Sequence, residues 1–426
     1  TPLYSSAASD VYKRQVRIRA IILGGVVNCD HSNFYFRVLK FEMNLDQSVS
    51  SIFKSKFAKE PLLVSAPGRI NLIGEHTDYN EGFVMPAAVD KQLTFAVASN
   101  QTNRFNCFSV NSNTSVSFST SELQAGGEWH HYLMGVIDGI QKKGLQVGGV
   151  DCVFGGDIPG GAGMSSSAAL CCGFGFALNQ IFKLNLTRLE LAKIGQHAEH
   201  NFAGVMCGIM DQYASLFGKQ DAALLLDCRS LEHEYIPFDF PEIEILLIDT
   251  KVKHSLASTA YNDRRAACEE GVRLLQRSRP EIKSLRDIGL SELEFIRHLV
   301  HEDIFIKCRF IINEIARTQR AAALLKANDL RGFGKLMFET HRGLSQEYEV
   351  SCAESDLLVS IASQFSEDVL GARMMGGGFG GCTINLVKKD AIEKYSQKVR
   401  EKYVVTFKKE PDFYSTKLMQ GVHTLS

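Results

Sequence analysis

The stretch "GGDIPGGAGMSSSAAL" at residues 155–170 leaves this chain few ways to fold locally. Its glycines free the backbone for a tight turn, and the serines and alanines behind them suit the opening turns of a helix. Residues 147–154 read as a strand entering the turn, and "SSSAALCCGFGFALNQIF" reads as the helix leaving it, with a serine as N-cap. Strand, glycine turn and helix in that order aim free backbone N–H groups and the positive end of a helix dipole at one spot, which suits a di- or triphosphate. A Walker-type loop would place a lysine after Gly163, where this chain has Met164. Magnesium held by a serine hydroxyl and a carboxylate can supply the missing positive charge. By itself the run reads equally well as a simple capped turn.

The pattern around this loop divides the chain. A helix is expected at Val49, Ile52, Phe53 and Phe57, a strand at 62–67, further strands at 93–98 and 107–118, and a helix over 132–144 ended by Gly144. Between about 250 and 350 charged amphipathic helices take over, as in "DRRAACEEGVRLLQRS". Residues 236–249 then read as linker and first strand of a second half, which gives domains at 43–240 and 241–426. With 426 residues, 45% of them hydrophobic, the chain can bury two cores. A second glycine cluster, "MMGGGFGGC" at 374–382, precedes the strand-like "CTINLV".

Charge and cysteine usage narrow the function. Lys plus Arg (47) and Asp plus Glu (48) nearly cancel, with no long run of one sign, so no nucleic-acid or membrane-surface footprint is present and a small substrate is expected. No stretch approaches the ~18 apolar residues of a membrane span. Eleven cysteines without a CxxC pair fit reduced thiols of a cytoplasmic protein. Residues 20–29, "AIILGGVVNC", are too short and lack the small-residue cleavage site of a signal segment. Residues 5–15 resemble translated sequencing-adapter sequence and Met43 opens a natural start, so 1–42 are set aside as a non-native extension.

Two more clusters carry chemistry. In "APGRINLIGEHTDYNEG" (66–82), Arg69, Glu75, His76 and Asp78 crowd a strand end. Either they face solvent or they converge on a polar ligand, and a polyhydroxyl sugar is such a ligand. In "QHAEHNFAGVMCGIMDQYASLFG" (196–218), Met210, Tyr213, Ala214 and Phe217 fall at helical spacing. Asp211 then lies in an early turn, as a helix-start residue or as a base that stays ionised. His197, Glu199 and His200 miss the HExxH zinc spacing, while Glu199 remains a usable magnesium ligand.

The three clusters, in this order, resemble the GHMP small-molecule kinases over essentially all of 43–426, and "GRINLIGEHTDYN" is similar to the galactokinase signature, supported by "GIMDQ" and "GGGFGGC". The resemblance implies an α+β fold: an N-terminal S5-like α/β domain and a C-terminal ferredoxin-like α/β domain with the active site between them. It implies ATP and Mg2+ as cofactors, galactose as the small-molecule partner, and a monomer. Glu75, His76, Asp78, Gly208 and Tyr261 would contact the sugar, together with Arg69 and Asp211. Gly161, Gly163, Ser165, Ser166 and Ser167 would cradle the ATP phosphates. Trp129 and Tyr132 match the positions that hold adenine, although the only tryptophan could equally be core. Ser167 and Glu199 match the magnesium ligands, with Ser166 close enough to compete. Ala162 and Met164 stand where the family often has glycine and leucine, which are small or isosteric changes.

The implied reaction is transfer of the ATP γ-phosphoryl group to the C1 hydroxyl of α-D-galactose, with Asp211 accepting the proton and Arg69 keeping it ionised. Rival readings are a GHMP kinase for mevalonate, homoserine or N-acetylgalactosamine, a galactose and ATP sensor without catalysis, and a hydrolase. "EHTDYN" speaks against the first two substrates, the intact "SSSAA" and Asp211 against the sensor, and the missing nucleophile elbow against the hydrolase.

Overall fold

In β1 (Leu62–Asn71) alternate side chains choose opposite sides, and that choice sets two layers. Val64 and Ala66 enter one core with Phe95, Phe105 and Phe174, while Leu63 lies on the other face against Val49 and Phe53 of helix α1 (Leu45–Phe57). The computed structural model describes residues 45–252 and 257–425; the expectations for residues 1–42, for the segment 20–29 and for Met43 lie outside the described residues.

The first sheet has the order β13-β1-β3-β6-β4-β5. Its further members are β3 (Pro86–Ser99), β4 (Arg104–Ser109), β5 (Thr114–Ser119), β6 (Val150–Gly156) and β13 (His423–Thr424). Only the β4–β6 pair is parallel. The single strand expected at 107–118 is instead the hairpin β4–β5. Val110–Asn113 form its turn, and Asn113 takes a left-handed φ of 54°, a conformation asparagine tolerates.

Helices α2 (Trp129–Gln141), α3 (Ser166–Phe182) and α4 (Arg188–Ala198) pack on the Val64 face. Helix α2 begins three residues earlier than its expected span and stops before Gly144. Helix α4 starts with a capping box in which Thr187 Oγ1 accepts from the Glu190 N–H at 3.2 Å and the Thr187 N–H donates to Glu190 at 2.9 Å. After a π-turn, Glu199–Ala203, helix α5 (Met210–Phe217) follows. A small sheet, β2-β7-β8, joins Phe83–Val84, Ala222–Asp227 and His233–Pro237.

The second sheet, order β10-β11-β9-β12, is antiparallel throughout. It consists of β9 (Ile243–Asp249), β10 (Val369–Met374), β11 (Cys382–Lys388) and β12 (Asp412–Thr416). Its helices are α6 (Ala257–Leu275), α7 (Glu302–Lys326), α8 (Leu330–Gln346), α9 (Ala353–Ser363) and α10 (Ile392–Phe407). One apolar cluster runs from Ile70, Leu72 and Ile73 at the end of β1 to Leu247 and Ile384 of this second sheet. The ends of β1, α3 and β10 meet beside that cluster, and the chemistry sits there.

Candidate active site

Arg69 reaches the site because β1 and β3 break register on either side of Gly68. A Cβ at Gly68 would press on the Met164 carbonyl, and the Arg69 N–H donates to that carbonyl at 3.0 Å, so glycine is required for the close approach. The Arg69 guanidinium, 5% exposed, takes Asp211 in a fork: Nε donates to Oδ1 at 2.7 Å and Nη2 to Oδ2 at 2.8 Å. Its Nη1 donates to the Gly163 carbonyl. Burial alone would lower the pKa of Arg69, but the Asp211 charge outweighs it and the group stays a firm cation.

Ser165 departs from the expected cap. It occupies the N-cap position of α3, yet its backbone is left-handed (φ 55°, ψ 55°) and its hydroxyl caps nothing. The hydroxyl donates to Asp211 Oδ2 instead. Asp211, in the first turn of α5, therefore receives three side-chain donors from the strand end and the glycine–serine turn.

Beyond β1 the chain turns sharply. Gly74 has φ 94° and His76 φ 65°, a strained value for a non-glycine residue. The turn is held by the Gly74 N–H donating to Glu314 at 3.1 Å, Thr77 Oγ1 lying 2.6 Å from the Phe83 carbonyl, and Asn80 Nδ2 donating to the His76 carbonyl at 3.1 Å. Glu75 Oε1 collects both Arg373 Nη groups at 3.0 Å and the Gly376 N–H at 2.7 Å. Arg373, fully buried, also donates to the carbonyls of Asn71, Leu72 and Met374.

These groups line one cavity of about 310 Å³. It is walled by Arg69, Glu75, His76, Asp78, Tyr132, Ser167, Glu199, Gly208, Asp211 and Tyr261, closed by Gly376–Gly378. Gly208 has its own reason to be glycine, since a Cβ there would collide with the Asp78 carboxylate. Burial and the nearby Asp211 charge push the Asp78 carboxyl up to about 7. Burial and Asp211 likewise push Glu199 up to about 7, and burial carries His76 down to about 3, so its ring is neutral. Ser167 Oγ donates to Glu199 Oε1 at 3.2 Å, and the buried Gln212 Nε2 donates to the same oxygen at 2.8 Å. This pair of adjacent oxygen donors suits a hard divalent cation.

Not every expected residue joins the cavity. Gly161 and Gly163 line a neighbouring cleft of about 480 Å³ with Val252 and the 375–381 loop. Ser166 is exposed at the start of α3. Trp129 is half-buried at the sheet edge, where Nε1 donates to Thr114 Oγ1 at 3.0 Å and the ring stands edge-on to Phe154. Arg373, Gln212 and Gly376–Gly378 were not marked by sequence reasoning as site residues. A lone arginine inside the apolar strand "VLGARMM" was the available signal for the first.

Comparison with known proteins gives three matches along the chain. A "Galactokinase galactose-binding signature" spans residues 51–99, "GHMP kinases N terminal domain" spans 131–219 and "GHMP kinases C terminal" spans 321–405. The galactokinase of Clostridium acetobutylicum is 38% identical over 388 residues, 90% of this chain and 98% of that protein. The galactokinase of Thermotoga maritima is 39% identical over 362 residues, covering 85% and 99%. The crystal structure of Lactococcus lactis galactokinase complexed with galactose superposes with a TM-score of 0.85 at 33% identity, covering 89% of this chain and 99% of that one. A mevalonate kinase superposes with a TM-score of 0.56 at 19% identity, a likeness of fold alone.

Proposed function

The chain belongs to the galactokinases of the GHMP kinase family, and from that membership we infer how its residues divide the work. It is a kinase that transfers the γ-phosphoryl group of ATP to the C1 hydroxyl of α-D-galactose, giving galactose 1-phosphate and ADP. Its fold is that family's pairing of an S5-like and a ferredoxin-like domain. We place the division between them at 240/241.

The observation that carries the assignment of roles is the Arg69–Asp211 fork at the wall shared by Glu75, His76 and Asp78 on one side and Ser167 and Glu199 on the other. Asp211 accepts the C1 hydroxyl proton as the oxygen bonds to phosphorus and the bond to ADP breaks. Arg69 holds both carboxylate oxygens and offsets charge on the transferring group. Because the transition state is loose, orientation by Asp211 counts as much as its basicity. Glu75 Oε1 is saturated by protein donors, which leaves Oε2 for the sugar. Asp78 and Tyr261 complete the polar wall, and Gly208 gives Asp78 its room.

Backbone amides of Gly161 and Gly163, with Ser165, Ser166 and Ser167, take the ATP phosphates, and Trp129 and Tyr132 are assigned to the adenine side. Ser167 and Glu199 would hold Mg2+, which when bound neutralises phosphate charge and orients the phosphoryl group. The reading includes a monomer and a cytoplasmic setting, the latter supported by cysteines that are all free thiols among the described residues. No helix among them is long and apolar enough to cross a membrane.

A coupled ADP-release assay with Mg2+–ATP tests the function across galactose, glucose, N-acetylgalactosamine and mevalonate. Turnover should be fastest with galactose. Phosphorylation of mevalonate without galactose would overturn the reading.

A further inference from the structure

His76 projects into the sugar cavity with a question attached to its ring. It is neutral, so one nitrogen carries a proton and the other accepts, and the two tautomers recognise opposite partners. Nε2 is buried and has no hydrogen-bond partner among the described residues, while the Gly377 backbone lies near the ring and favours a ring N–H. Nδ1 lies 2.8 Å from the Tyr79 hydroxyl, which lies 2.7 Å from the Tyr348 hydroxyl, which in turn lies 3.3 Å from Cys268 Sγ. The rings of Tyr79, Tyr261 and Tyr348 surround the imidazole at centroid distances of 5.8, 5.2 and 4.9 Å.

The far end of this chain sets its direction. The Tyr348 proton has three destinations: the Cys268 sulfur, a weak acceptor; the Arg264 carbonyl at 3.4 Å, a long contact; and the Tyr79 oxygen at 2.7 Å. The last is the strongest. If Tyr348 donates to Tyr79, the Tyr79 proton must go to the remaining acceptor, Nδ1 of His76. Cys268, kept as a thiol because burial pushes it up to about 11, can then donate its weak S–H to Tyr348. The ring proton is left on Nε2, the buried atom of this cavity-lining ring that has no hydrogen-bond partner among the described residues.

We propose that Tyr348 and Tyr79 are positioning residues that fix His76 as the Nε2–H tautomer, so that it donates a hydrogen bond to an oxygen of the bound sugar. This rests on the reading of the cavity as the galactose site. Glu75 beside it accepts, so this part of the wall sets a neutral donor next to a carboxylate acceptor. A hydroxyl that must accept from His76 while giving its proton to a carboxylate fits; a protonated amine in its place has no lone pair to offer and is refused.

Tyr79→Phe and Tyr348→Phe remove the hydroxyls and keep the rings. Two readouts on the full protein test the idea: the nitrogen NMR signals of the His76 ring, and KM for galactose set against KM for ATP and kcat. The unaltered enzyme should show the proton on Nε2. Tyr79→Phe should mix the tautomers and raise the galactose KM about threefold to tenfold, the worth of one neutral hydrogen bond, with the ATP KM unchanged and a smaller effect in Tyr348→Phe. A proton on Nδ1 in the unaltered enzyme, or an unchanged galactose KM in Tyr79→Phe, overturns the relay. An enzyme inert toward galactose with the proton on Nε2 overturns the sugar reading and leaves the tautomer assignment standing.

Discussion

Asp211 carries the most at the scale of single residues, because Arg69 and Ser165 together satisfy both of its oxygens. Asp211→Asn keeps the shape and loses the charge, so it should lower kcat by about 10²–10⁴ while titrations with galactose and ATP still detect binding. Asp78 makes a different prediction. Its carboxyl, pushed up to about 7 by burial and by Asp211, would titrate near 3.8 in the unfolded chain. The folded state therefore holds a proton that the unfolded state releases, and stability of the ligand-free protein declines as pH rises from about 4 to about 7. Asp78→Asn should remove the Asp78 share of that slope and leave the share of Glu199, which burial and Asp211 also push up to about 7. Its melting temperature should exceed the parent's by several degrees at pH 8, on the order of 2 kcal/mol, with the gap closing toward pH 4 in calorimetry.

At the scale of elements, the glycine–serine turn was legible as a local pattern, and so were β1, α3 and the crowded strand end at Glu75–Asp78. Each depends on residues close in sequence. What the sequence could not disclose was which partner a group takes when several compete. Ser165 looks like a cap and serves a carboxylate 46 residues away. Its left-handed backbone separates the two roles. Ser165→Gly should relieve strain and raise the melting temperature relative to Ser165→Ala, while both lose the hydroxyl and lower kcat by about tenfold. Equal kcat for Ser165→Gly and the parent would make the residue conformational only. The sequence suits Trp129 equally to adenine or to the core, and its hydrogen bond to Thr114 depends on the β4–β5 hairpin, which the strand-like pattern of 107–118 conceals.

At the scale of the whole molecule, one buried arginine ties the sheets together. Arg373 stands one residue before the end of β10 in the second sheet and donates to Asn71 at the end of β1 in the first and to Leu72 just past it, some 300 positions earlier. Nothing local in "VLGARMM" announces that partner. Arg373→Met would leave Glu75 buried without its counter-charge, at a cost of about 3–5 kcal/mol. Denaturant unfolding should show that loss, and the galactose KM should rise with it. The cavity walls also bear on what happens after transfer. Glu75, Asp78, Glu199 and Asp211 stand there against a single lining cation, Arg69. Yet Arg373 matches Glu75, Arg69 matches Asp211, and burial pushes Asp78 and Glu199 up to about 7, so the chamber carries little net charge of its own. Its one lining cation is already forked to a carboxylate, and the dianionic ester made inside therefore finds no free positive side chain on that wall to detain it.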